Sequence, residues 1–124
     1  MKTITNDHHH SEIRSLLDKL AQRERSVLIV EGKRDSFALK QLLPGAEIFS
    51  LSNQKRSLYE SAEHIASNFN EAILMLDADQ KGKELSKKMV TYLQSLGVKV
   101  SKDGEKLLKL ANRRHIQDLR SVVI

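Results

Sequence analysis

Four carboxylates follow two apolar segments of this 124-residue chain, Glu31 and Asp35 after the first, Asp77 and Asp79 after the second. If the segments are neighbouring strands, Glu31, Asp77 and Asp79 converge at one edge of a sheet. A helix that starts near residue 32 would carry Asp35 one turn further along, close enough to be a further ligand or to support one. Converging carboxylates do not all stay ionised without a cation, and hard oxygen donors select Mg²⁺ or Mn²⁺. The pattern therefore predicts a metal site for Mg²⁺, with Mn²⁺ as the alternative ion.

A glycine follows the acids at the end of each apolar run, Gly32 directly after Glu31 and Gly82 three residues after Asp79. The missing Cβ would let a phosphate approach backbone N–H groups at the start of a helix. Four basic side chains flank the same turns and could neutralise a nucleic-acid backbone: Lys33, Arg34, Lys81 and Lys83. These six residues are the predicted phosphate-binding or nucleic-acid-binding set.

Two unbroken apolar runs, 27–30 and 72–76, have the composition of strands that are buried on both faces of a parallel sheet. Weaker strands are predicted at 47–51 and 98–100. Amphipathic spacing predicts the helices, at 11–21, 33–43, 58–69 and 85–96, with two more after residue 104. This alternation predicts an α/β fold with about four mostly parallel strands and helices on both faces.

The predicted organisation is a flexible polar tail at 1–10 and a single domain at 11–124, with a core at about 26–100 and a basic helical segment at 101–124. Three adjacent histidines, 8–10, fit a disordered tail better than a metal site. The absence of cysteine excludes disulfides and thiol catalysis. No apolar run approaches the roughly 18 residues of a membrane span, and the N-terminus lacks a signal pattern, so we expect a cytoplasmic protein.

Basic residues concentrate in the second part of the chain. Residues 80–124 hold 11 Lys and Arg but only 4 Asp and Glu, within an overall formal charge of +5. Such a surface attracts polyanions, above all nucleic acid. Aromatic residues make up only 4%, which argues against a stacking platform for single strands. His64 and His115 are expected to be solvated rather than catalytic.

The two acidic motifs resemble those of a known family. Glu-Gly-Lys-Arg-Asp at 31–35 is similar to the EGxxD motif of the Toprim domain, and Asp-Ala-Asp-Gln-Lys-Gly at 77–82 is similar to its DxDxxG motif. The resemblance spans about 26–100 and implies a Rossmann-like Toprim fold. In size the chain is most similar to small stand-alone Toprim proteins, described as primase-like or ribonuclease M5-like.

The resemblance also implies roles for individual residues. Glu31 corresponds to the glutamate that the family uses as a general acid/base or as a metal ligand. Asp77 and Asp79 correspond to the aspartates that bind Mg²⁺ in the family. Asp35 matches the last acid of EGxxD, which the family uses less uniformly. Gly82 matches the closing glycine of DxDxxG.

Three functions remain open on this basis. The first is a Mg²⁺-dependent phosphodiester enzyme acting on DNA or RNA, either a ribonuclease M5-like nuclease or a primase-like phosphotransferase. The alternative is a non-catalytic nucleic-acid-binding accessory module of a repair, replication or RNA-processing complex. A phosphatase using Asp-x-Asp as its nucleophile motif is disfavoured, because Gln80 and Lys81 depart from that pattern. The substrate's structure, the number of metals, and a homodimer or protein partner stay open.

Overall fold

Four strands alternate with helices in a computed structural model that describes residues 2–52 and 54–123, with side chains at 10–52 and 54–121. The strands are β1 (Ser26–Val30), β2 (Ile48–Ser50), β3 (Glu71–Leu74) and β4 (Lys99–Ser101). The helices are α1 (Lys2–Ala21), α2 (Lys33–Leu42), α3 (Leu58–Asn68), α4 (Gln80–Ser95), α5 (Asp103–Ala111) and α6 (Leu119–Val123), with a 3₁₀ turn at Ile116–Asp118. The predicted α/β class is confirmed.

The four strands form one parallel sheet in the order β2-β1-β3-β4. Leu28 at the middle of β1 pairs with Ile48 of β2 on one side and with Ile73 of β3 on the other. The two apolar runs are therefore neighbouring strands, and their carboxyl ends meet at one edge of the sheet. This adjacency is the condition under which the predicted acids converge.

Both faces of the sheet are covered, as the uninterrupted apolar runs predict. Because side chains alternate along a strand, Leu28 and Val30 point to one face while Val27 and Ile29 point to the other. The first face packs against α1, α2 and α5, and the second against α3 and α4. All four of these β1 side chains are buried.

The first helix is longer than predicted. It begins at Lys2 rather than at Ser11, so residues 2–10, predicted as a polar tail, continue the helix. Extending an existing helix costs much less than nucleating one, so polar residues can follow an anchored turn. The anchors are Ile13, Leu17 and Leu20, which are buried in the core. The side chains of residues 1–9, including two of the three adjacent histidines, lie outside the described residues, as does Asn53.

The segment after residue 100, predicted as a basic helical part of the single domain, also contributes to the hydrophobic core. Leu107, Leu108, Ile116 and Leu119 are buried in the same cluster as α1 and α2. Their apolar stripe covers the first face of the sheet. No described helix is long and apolar enough to span a membrane.

Candidate metal centre

Two aspartates and one histidine come together at the carboxyl end of β3. Asp77, Asp79 and His115 each offer a ligand atom within 4.8 Å of the others, and all three are partly buried. Asp79 is also the N-cap of α4, since its Oδ1 accepts a 2.8 Å hydrogen bond from the N–H of Gly82. The Oδ1 of Asp77 accepts a 2.8 Å hydrogen bond from the N–H of Ile116. Each carboxylate keeps its second oxygen for a ligand.

His115 reaches the cluster because the chain turns back after α5. Asn112 ends that helix in the left-handed conformation, with φ at 54°. The N–H of Ala78 then donates to the carbonyl of Arg114 at 2.7 Å, and the Ile116 bond to Asp77 follows on the other side. His115 therefore lies between two hydrogen bonds, one backbone to backbone and one backbone to side chain, that tie its segment to the residues after β3.

The imidazole of His115 faces two carboxylates. Its Nε2 lies 3.6 Å from Asp79 Oδ2, and its Nδ1 lies 3.7 Å from Asp118 Oδ2. A carboxylate at the second nitrogen is the arrangement that orients a metal-binding histidine. His115, which we expected to be solvated rather than catalytic, is indeed 45% exposed, and it also lies within reach of two carboxylates. The distance in sequence between Asp79 and His115 hides this contact, and no motif links them.

Glu31 comes directly after β1, the strand next to β3. Its Oε2 lies 2.7 Å from the ammonium of Lys81, and this hydrogen bond and the charge of Glu31 raise the pKa of Lys81. The negative charge of Glu31 also contributes to the raised pKa of Asp77, although burial is the largest cause there. Glu31 is thus close enough to act electrostatically on the cluster, while its contact is with a lysine.

Asp35 lies beside the same cluster. Burial, then the charge of Asp77, and more weakly that of Glu31, raise its pKa to about 6. Negative charge is therefore concentrated at a partly buried place. A donor set of carboxylates and one imidazole at this place fits a divalent cation such as Mg²⁺ or Mn²⁺.

The two predicted glycines differ in what surrounds them. A Cβ at Gly82 would collide with the backbone carbonyl of Asp77, so the start of α4 can lie against the site only with glycine there. A Cβ at Gly32 would lie 3.2 Å from the hydroxyl of Ser52, which is a side chain that can rotate away. Close packing thus accounts for Gly82 independently of any phosphate.

A cleft of about 540 Å³ opens beside Asp77, between α4 and α5. Three leucines contribute apolar surface to it, Leu74, Leu76 and Leu108, and Glu105 is also part of its wall. Five basic residues line it: Lys83, Lys102, Lys109, Arg113 and Arg114. Four of these five come from the segment after residue 100, which sequence patterns did not assign to the site. Among the other predicted basic residues, Lys81 pairs with Glu31, while Lys33 and Arg34 line a separate depression.

Comparison with known proteins agrees with this architecture. A family model described as "Toprim domain" matches residues 26–115, a range that includes the four predicted acids and ends at His115. The chain is 36% identical over 108 residues to a UPF0292 protein of Pyrococcus abyssi, covering 87% of this chain and 79% of that protein. It is 38% identical over 107 residues to a UPF0292 protein of Thermococcus gammatolerans, covering 86% and 77%.

The fold also has a solved counterpart. The structure of a putative protein from Aquifex aeolicus superposes with a TM-score of 0.73 at 28% identity. The match covers 87% of this chain and 95% of that one. The likeness therefore extends over nearly the whole of both chains.

Proposed function

This chain belongs to the Toprim family, and on that premise we propose that it is a metal-dependent nuclease that hydrolyses phosphodiester bonds of DNA or RNA. Membership of the family points to metal-dependent action on nucleic acid. The observation that carries the proposal is the convergence of Asp77, Asp79 and His115 beside a cleft lined by five basic residues. Acidic ligands next to cationic walls suit a phosphate substrate that completes the shell of the ion.

Asp77 and Asp79 are the proposed ligands, and His115 the proposed third donor. Carboxylate oxygens favour Mg²⁺, and an imidazole nitrogen makes the same site better suited to Mn²⁺. When bound, such an ion polarises a phosphoryl oxygen and stabilises the leaving oxygen. The hydrogen bonds from Ile116 and Gly82 fix the two carboxylates in advance, so little ordering is needed on binding.

Glu31 is the proposed proton acceptor. Its side chain is 26% exposed, so water reaches it, and one of its oxygens lies 2.7 Å from the Lys81 ammonium. As the oxygen of a water molecule bonds to phosphorus, its proton passes to Glu31. The P–O bond to the leaving group then breaks, and the departing oxygen takes a proton from solvent.

The decisive experiment is a cleavage assay with end-labelled single-stranded, duplex and hairpin DNA and RNA in Mg²⁺, Mn²⁺ or chelator. Wild type is compared with Glu31→Gln and with Asp77→Asn, whose amide oxygen can still accept from Ile116. Glu63→Gln, an exposed carboxylate on α3, is the matched control. We expect metal-dependent cleavage by wild type and the control, and a loss of about 100-fold or more in both site variants.

Native gels of the same mixtures distinguish the other functions. Retarded bands without cleavage, equal in wild type and Glu31→Gln, would overturn the nuclease and favour a binding module of a larger complex. Extension of labelled strands when nucleoside triphosphates are added would instead indicate a primase-like phosphotransferase.

A further inference from the structure

A basic depression of about 500 Å³ contains the most exposed large apolar side chain among the described residues. This side chain is Phe37, which is 58% exposed. The other lining residues are Lys33, Arg34, Gln117 and Arg120. We propose that Phe37 is a stacking platform for an unpaired base of a nucleic-acid strand whose phosphates are held by Lys33, Arg34 and Arg120.

The surroundings of the ring carry this inference. A single exposed apolar side chain is ordinary by itself. Here, however, Lys33 lies one helical turn before Phe37 on the same side of α2, and neither Lys33 nor Arg34 has an ion-pair partner among the described residues. Free cations around an exposed π face provide both of the interactions that bind single strands.

Arg120 is held in place over the ring. Its guanidinium carbon lies 5.8 Å from the centroid of Phe37, and its Nη1 donates a 2.8 Å hydrogen bond to the amide oxygen of Gln41. A guanidinium in this position can contact a phosphate or stack on the base that the ring receives. Two separate elements, α2 and α6, thus build the platform.

The other exposed aromatic shows the contrast. Tyr59 on α3 is 43% exposed, but its ring packs edge-on against Tyr92 with the centroids 5.4 Å apart. Among the residues whose side chains the structure describes, the partner of the Phe37 ring is a cation and not a second ring. The scarcity of aromatic residues argued against a stacking platform. Phe37 is nevertheless both exposed and surrounded by basic side chains.

The platform and the metal centre are built from the same two segments of the chain. The helix α2, which carries Asp35 and Phe37, packs against the 3₁₀ turn Ile116–Asp118 that follows His115. We therefore place the ring on the path of a strand that leaves the metal centre. The proposal thus rests on the proposed function and adds to it that the substrate presents an unpaired segment.

Binding of a short fluorescein-labelled single-stranded DNA or RNA, and of the same sequence as a blunt duplex, tests the platform in chelator, where cleavage does not interfere. Phe37→Ala should weaken single-strand binding about tenfold and leave duplex binding nearly unchanged. Tyr59→Ala is the matched control and should bind like wild type. Melting curves confirm that each variant is folded.

The Phe37→Trp variant gives an independent readout, because the chain contains no tryptophan. We expect it to keep the wild-type affinity and its fluorescence to be quenched by the single strand. Equal affinities of wild type and Phe37→Ala, or tryptophan fluorescence that stays unquenched in a bound complex of Phe37→Trp, would overturn the platform. Unchanged strand binding together with loss of a dimer in Phe37→Ala would identify a second copy of the chain as the occupant, and would also overturn it.

The two proposals fail separately. Single-strand binding that depends on Phe37, with no cleavage in any metal, would refute the nuclease and keep the platform. Cleavage that is lost in Glu31→Gln but unchanged in Phe37→Ala would refute the platform and keep the nuclease.

Discussion

The ends of β1 and β3 are built from the same local pattern, yet they hold their acids in different ways. After β3, Asp77 and Asp79 accept hydrogen bonds from backbone N–H groups at 2.8 Å. After β1, the partner of Glu31 is the side chain of Lys81, which is 78% exposed. Backbone donors fix a carboxylate, whereas an exposed lysine can move. The β3 end is therefore suited to hold an ion, and the β1 end to exchange a proton.

The largest expected difference between the two ends concerns their glycines. Gly82→Ala should lower the free energy of unfolding by about 3 kcal/mol, because the new Cβ meets the backbone carbonyl of Asp77. Gly32→Ala should cost less than about 1 kcal/mol, since Ser52 can rotate away. Urea unfolding of both variants measures this, and equal losses would contradict the rigid β3 end.

The next effect is a pH dependence at the acidic cluster. The pKa of Asp35 is raised to about 6 in the folded protein, so the stability associated with its protonated form is complete below its ordinary value of 3.8 and is lost as pH rises through 6. Asp35→Asn removes this loss. In chelator, it should match wild type near pH 3.8 and, with allowance for screening by solvent, be about 2 kcal/mol more stable at pH 7.

Unfolding curves at a series of pH values test this expectation. The control is Glu63→Gln, because this carboxylate is exposed. Asp103→Asn would not serve as a control, since Arg23 forms a 2.8 Å ion pair with the carboxylate of Asp103. A constant difference between Asp35→Asn and wild type across the range would show that Asp35 is not part of the cluster.

A smaller effect concerns the ion itself. His115→Ala should weaken Mn²⁺ binding about tenfold and Mg²⁺ binding less, because an imidazole ligand matters more to Mn²⁺. Titration calorimetry of the two ions measures both affinities. His64→Ala, an exposed histidine on α3, is the control. Unchanged affinities for both ions would remove His115 from the ligand set.

The smallest effect is expected at the β1 end. Lys81→Ala should leave the melting temperature unchanged, because the Lys81–Glu31 pair is exposed and screened by solvent. It should slow metal-dependent cleavage by a few-fold, since Glu31 loses the partner that orients it, and added salt should shrink the difference. Lys87→Ala on the same helix is the control. A lower melting temperature would mean that this pair stabilises the fold instead.

Local sequence was sufficient for most of the fold. The apolar runs correspond to β1 and β3, the amphipathic stripes correspond to α2, α3 and α4, and Gly97 ends α4 in the left-handed region at φ 82°. Periodicity predicted these elements because each depends on residues a few positions apart. The start of α1 was missed, since the polar residues 2–10 carry no apolar stripe.

The order of residues along the chain is enough to predict the alternation of strands and helices, the placement of acids after two buried strands, and the excess of basic residues near the C-terminus. Tertiary structure alone decided that His115 joins Asp77 and Asp79, that four cations from the segment after residue 100 line the cleft, and that Phe37 stays exposed beside Arg120. The spacing of residues in a motif predicts contacts only between residues of the same helix, strand or turn. Contacts between distant segments depend on how helices pack on the sheet, and that is fixed by the burial of the whole core.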